Sequence, residues 1–204
     1  MAFLHWVQDS GLATWLRETE TIWGEDFILV LHALGMAFLV GLNAAIDLRI
    51  LGAARRLPLA PMEKFFPLMY AAFWVNAASG VMLLTAYPIR AFINPGFYVK
   101  MGGVALGILC LRRIKRQVFG NPANLDRRPV ALDGKILAGA SLLSWGVTIT
   151  AGRMMAYSDI TGVQRTSSIA VLVAAVLMLL AGVIGRRLWG LSGWSRDEPL
   201  RQDA

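Results

Sequence analysis

Residues 26–52 read DFILVLHALGMAFLVGLNAAIDLRILG, and this stretch decides the fold. A hydrocarbon core of about 30 Å is crossed by roughly 20 apolar residues in a helix, and the stretch meets that length. A plain lipid anchor, however, needs none of its polar residues. At about 100° per residue, His32, Met36, Asn43 and Asp47 fall within about 60° of one another on a helix. They form one polar stripe, and such a stripe looks into a bundle because polar groups are costly against lipid.

The rest of the chain has the same character. Of its 204 residues 56% are hydrophobic and 16% charged, with a mean hydropathy of +0.55, which is too apolar for a soluble domain of this size. The expected fold class is all-α, a polytopic membrane helical bundle with five transmembrane helices near 26–50, 65–87, 96–114, 135–157 and 169–185. Residues 1–25 are too polar to span. From Ser10, a plausible N-cap, Leu12, Trp15, Leu16, Ile22 and Trp23 give one apolar side and Arg17, Glu18 and Glu20 the other. This is the pattern of an amphipathic helix lying in the interface, with Trp6, Trp15 and Trp23 at headgroup level. The segment lacks the basic start of a signal peptide. Residues 26–190 form the bundle, and 191–204 a polar tail.

A net charge of +7 raises nucleic acid as a partner, but the placement of the charge gives a different cause. Fifteen of the 20 Lys and Arg residues fall on one side of the five-span arrangement: around Arg49 to Lys64, around Arg112 to Lys135, and after Arg186. That is the positive-inside pattern of a bacterial inner-membrane protein. It places the N-terminus outside and the C-terminus in the cytoplasm, with the lipid bilayer as partner and no nucleic acid.

No Gly-rich phosphate loop, Ser-His-Asp set, CxxC pair or HExxH motif is present, so no stand-alone catalytic signature exists. The single cysteine, Cys110, reads as a packing residue. Depth along the spans groups the remaining polar residues. His32, Lys100 and Arg153 fall near the outer ends of their helices, with Tyr87 and Tyr157 close by. A cationic set of this kind suits the propionates of a haem, the head of a quinone, or an anion, with His32 as axial ligand or proton donor. The competing reading is structural: His32 hydrogen-bonded to a neighbouring helix, Arg153 and Lys100 snorkelling to the surface. A bis-histidine haem b site needs two placed histidines, and the chain has only His5 and His32. The second ligand is then a methionine, water or a partner's histidine. Asn43 and Asp47 lie deeper, where Ser141 and the basic loop ends can answer them.

The set His32-x-x-Gly35, Gly41, Asp47-Leu48-Arg49-x-Leu51-Gly52, with Trp145 and Gly152-Arg153-x-x-Ala156-Tyr157, resembles a bacterial family of small multi-pass inner-membrane proteins of unknown function. The likeness extends to Trp15-Leu16-Arg17 and Phe97-x-x-Lys100 and covers most of residues 10–157. It implies topology, and a bundle similar to cytochrome-b-like membrane modules. The expected role is an integral-membrane subunit or accessory module, associated with respiratory electron transfer through haem or quinone, inside a larger membrane complex or a homo-oligomer. Two alternatives stay open: a small proton-coupled carrier using Asp47 and Asn43, and a purely structural membrane protein.

Overall fold

The computed structural model describes residues 2–53, 56–120 and 130–161, the last six of these by backbone alone. Among them every regular element is helical: α1 (Ala2–Gln8), α2 (Gly11–Glu18), α3 (Glu25–Leu51), α4 (Phe65–Ala86), α5 (Pro88–Ile93), α6 (Pro95–Gln117) and α7 (Leu132–Thr161), with a 3-10 turn, Ala60–Lys64, leading into α4. The four long helices lie on the stretches expected at 26–50, 65–87, 96–114 and 135–157. The expected fifth span, 169–185, and the tail, 191–204, lie outside the described residues.

Local chemistry sets the helix ends. At the end of α3, Gly52 takes φ 107°, a left-handed conformation open to glycine at little cost. Its amide donates to the Arg49 carbonyl at 3.2 Å and that of Ala53 to Leu48 at 2.9 Å, satisfying the last turn. Asn94 caps α6, its Oδ1 accepting from the Gly96 amide at 2.9 Å, and Pro95 follows in the first helical position, where no amide is needed. Ser10 caps α2 by accepting from the Ala13 amide at 3.4 Å. The helix it starts stops at Glu18, where the Thr19 hydroxyl turns back to the Trp15 carbonyl. Ile22 and Trp23 therefore lie beyond it, exposed, and residues 2–8 make a separate helix instead of a lead-in to the first.

The long helices form two antiparallel hairpins, α3 with α4 and α6 with α7, and α3 against α7 joins them. In the first hairpin Gly35 meets the α4 backbone so closely that a Cβ there would stand 2.8 Å from the Asn76 nitrogen. In the second, Gly103 meets Ser144 and Thr148, and a Cβ on Gly107 would stand 2.8 Å from the Trp145 ring. These glycines are the small-xxx-small pair of α6, and they let the helices approach. The main core runs through Leu39, Ile46, Ile50, Phe66, Met69, Leu111, Ile114 and Trp145. A smaller cluster, Leu16, Ile28 and Ala86, packs α2 onto the N-terminal end of α3 and the C-terminal end of α4, where Arg17 also donates to the Ala86 carbonyl at 2.9 Å.

Polarity is distributed inside out. Asn43, Asp47, Ser79, Ser141, Ser144 and Thr148 are buried, while Leu29, Val30, Phe38, Leu68, Trp74 and Val81 are exposed. Two helices, Glu25–Leu51 and Ala60–Ala86, are long and apolar enough to cross a membrane, and only 22% and 17% of their most apolar stretches are buried. A core helix of a water-soluble protein would bury most of that surface. Helices α6 and α7 have the length but less apolarity, α6 because of Lys100 and its basic final turns, α7 because of its serines, threonines and glycines.

Candidate functional site

His32 stands two turns into α3 and is tied to α4. Its Nδ1 lies 3.0 Å from the Asn76 carbonyl and 3.1 Å from Ser79 Oγ. The Ser79 hydroxyl proton is directed to the Val75 carbonyl at 2.7 Å, so Ser79 meets the ring as an acceptor. The Asn76 amide nitrogen donates in turn to the His32 carbonyl at 2.7 Å. The Asn76 amide nitrogen also stands 3.3 Å from Nδ1; the neutral tautomer that satisfies the Asn76 carbonyl and Ser79 Oγ, the two nearer groups, carries its proton on Nδ1. Nε2 then carries the lone pair, and it makes no hydrogen bond among the described residues. A backbone carbonyl that fixes one imidazole nitrogen and frees the other is the arrangement that orients ligand-binding histidines. Gly80 makes room for the ring: a Cβ there would stand 3.1 Å from Cε1.

The expected companions of His32 divide. Lys100 is within electrostatic range of the imidazole, and its stem lies along Gly152 of α7, 3.8 Å from where a Cβ would stand. Arg153 is exposed. Tyr87 lies apart from the histidine, two turns of α4 beyond Ser79: its hydroxyl donates to Glu25 Oε2 at 2.8 Å, and the Arg90 guanidinium stands over its ring at 5.7 Å. The reason is register, since the antiparallel pairing of α3 and α4 sets Tyr87 opposite the start of α3. The Tyr157 side chain lies outside the described residues. Met36, one turn on from His32, is half-buried.

A second polar cluster occupies the seam between α3 and α7. Asn43 Nδ2 donates to Asp47 Oδ2 at 2.5 Å and to Ser141 Oγ at 2.7 Å. All three side chains are fully buried. Cys110 of α6 lies within electrostatic range of the carboxylate, and no ion pair reaches Asp47 among the described residues. Among the described residues three buried side-chain polar atoms lack a hydrogen-bond partner: Asn43 Oδ1 and Asp47 Oδ1 in this cluster, and Trp145 Nε1 on α7. Trp145 follows Ser141 by one turn of α7, and its ring lies against Gly107 of α6. The sequence pattern brings Asn43, Asp47 and Ser141 together. It does not reveal the orphaned indole nitrogen, because an aromatic at helical spacing reads simply as core.

As to metals, no group of three or more His, Cys, Asp and Glu side chains is placed to hold an ion among the described residues. His32 can offer one axial nitrogen. His5 is exposed on α1, and Met36 follows His32 by one turn on the same helix. Comparisons of the chain with family models, with curated proteins and with solved structures find no match, and the functional reading rests on these two clusters.

Proposed function

We propose that the protein is an integral subunit of the bacterial inner membrane, five spans with the N-terminus outside, that binds a redox lipid headgroup of the quinone type at His32 and Lys100. The observation that carries this reading is the imidazole itself. Its Nδ1 is committed to the Asn76 carbonyl and Ser79 Oγ, which leaves a fixed Nε2 lone pair able to accept a proton from a quinol hydroxyl. The Lys100 ammonium supplies the complementary donor to a quinone carbonyl. Haem as the bound group is the weaker fit, because the one other histidine of the chain, His5, is exposed on the short helix α1. The inside-out polarity of the bundle and the basic final turns of α3 and α6 support the membrane placement. The first test is purification in mild detergent, followed by solvent extraction for quinone and by oxidised and dithionite-reduced visible spectra, beside His32→Ala. Co-purifying quinone that falls several-fold in the variant supports the reading. A Soret band that shifts on reduction and vanishes in the variant replaces quinone by haem, and a colourless, quinone-free protein overturns both.

The orphaned atoms at the α3–α7 seam favour a second reading, a proton-coupled carrier that uses Asp47 and Asn43. Uptake or conductance in proteoliposomes that Asp47→Asn abolishes would move the assignment there.

A further inference from the structure

At the C-terminal end of α6, three cations converge on a cavity. Arg112, Lys115 and Arg116 share one face of the helix, being three and four residues apart. With Glu63, Tyr70 and Phe119 they line a space of about 540 Å³ between α6 and the start of α4. Lys115 is held in place from below: its ammonium lies 5.5 Å from the centre of the Phe66 ring and 5.3 Å from that of Tyr70, a cation–π seat. Among the described residues Glu63 is the only acid lining the cavity. No ion pair joins it to the three cations among the described residues, so the cavity keeps an excess of two positive charges. Positive-inside topology asks only that basic residues lie on one side of the membrane. It does not ask that they frame a cavity with an aromatic floor.

We propose that this cavity binds the headgroup of an anionic phospholipid, its phosphodiester gripped by the Arg112 and Arg116 guanidiniums and Lys115, with the glycerol and first acyl carbons over Phe119 and Tyr70. Guanidiniums bind phosphate oxygens in a bidentate manner, and basic pockets at the cytoplasmic ends of membrane helices are suited to such headgroups. The excess charge matches a lipid with two phosphates, cardiolipin, better than phosphatidylglycerol with one. This inference rests on the membrane placement proposed above.

The test is native mass spectrometry of the full chain released from mild detergent, titrated separately with cardiolipin, phosphatidylglycerol, phosphatidylethanolamine and inorganic phosphate. The proteins compared are the wild type, the double variant Arg112→Gln/Arg116→Gln and the control Arg90→Gln at the other end of the bundle. The expected result is retention in the order cardiolipin, phosphatidylglycerol, phosphatidylethanolamine, with cardiolipin affinity lowered roughly 30-fold by the double variant and unchanged by the control. Equal retention of charged and zwitterionic lipid, equal loss in the control, or inorganic phosphate binding that lipid does not displace overturns the proposal. Carbonate extraction of membranes carrying the same proteins separates the two claims. Release of the wild type sinks the membrane placement, whereas retention without lipid preference sinks only the lipid site.

Discussion

Asn43 shows how much one side chain can hold. Its amide nitrogen serves both Asp47 and Ser141, so replacing it with leucine removes the hydrogen bond that Asn43 donates to the Asp47 carboxylate and leaves a buried acceptor without that partner. A buried group left unsatisfied in this way costs about 1–3 kcal/mol, more when it is charged. Asn43→Leu is therefore expected to lower stability by roughly 2–4 kcal/mol in denaturant unfolding in detergent, and the double variant Asn43→Leu/Asp47→Leu to recover part of that loss. A double variant as unstable as the single one would show that the seam is held by something other than this network. His32, Asn43 and Asp47 were legible from residue type and angular spacing alone. The α4 partners of His32 were visible as polar residues at the right depth, but only the register of α3 on α4 turns Asn76 and Ser79 into the groups that fix its ring.

For the helices, spacing and length carried most of the information. The four long helices follow from apolar runs bounded by Gly52, Pro58, Pro88, Pro95 and the Asn121-Pro122 turn signal, because these residues stop or start helices for backbone reasons that need no tertiary context. Ser10 announces the start of α2 through its capping side chain; what the sequence did not reveal is the separate helix α1 before it and the stop at Glu18, since neither has a proline or glycine to mark it. Close approach was equally hidden: a glycine in an apolar helix gives no sign of which backbone it will touch. Gly35 touches α4, and Gly35→Ala would set a methyl 2.8 Å from the Asn76 nitrogen. The hairpin must then open, at a cost of about 1–3 kcal/mol, and the same motion pulls Asn76 away from His32. Thermal unfolding of Gly35→Ala beside Gly41→Ala, where a Cβ meets nothing within 4 Å, checks the point; equal melting temperatures would contradict the packing described.

On the scale of the whole molecule, the arrangement makes a prediction about sidedness. Cys110 is the single cysteine and is buried, so the native protein gives a silent background for thiol labelling. Asp9→Cys, in the turn between α1 and α2, is expected to react with a membrane-impermeant maleimide added to intact spheroplasts, and Gln117→Cys, at the end of α6, only after the membrane is opened. The opposite pattern would invert the topology. The grouping of basic residues between the apolar runs was readable without coordinates because it depends on composition alone; the packing of the hairpins was not, because it depends on which faces meet. In the proposed membrane setting, the contrast between a polar interior and an apolar outer surface also governs how this chain can drift over generations. Leu29, Phe38, Leu68 and Val81 point outward and can exchange for almost any apolar residue, since a fluid hydrocarbon neighbour has no shape to match. Asn43 and Ser141 are held to a specific donor or acceptor and Gly107 and Trp145 to a specific size, so variation among descendants of this chain should collect on its outside and spare its interior.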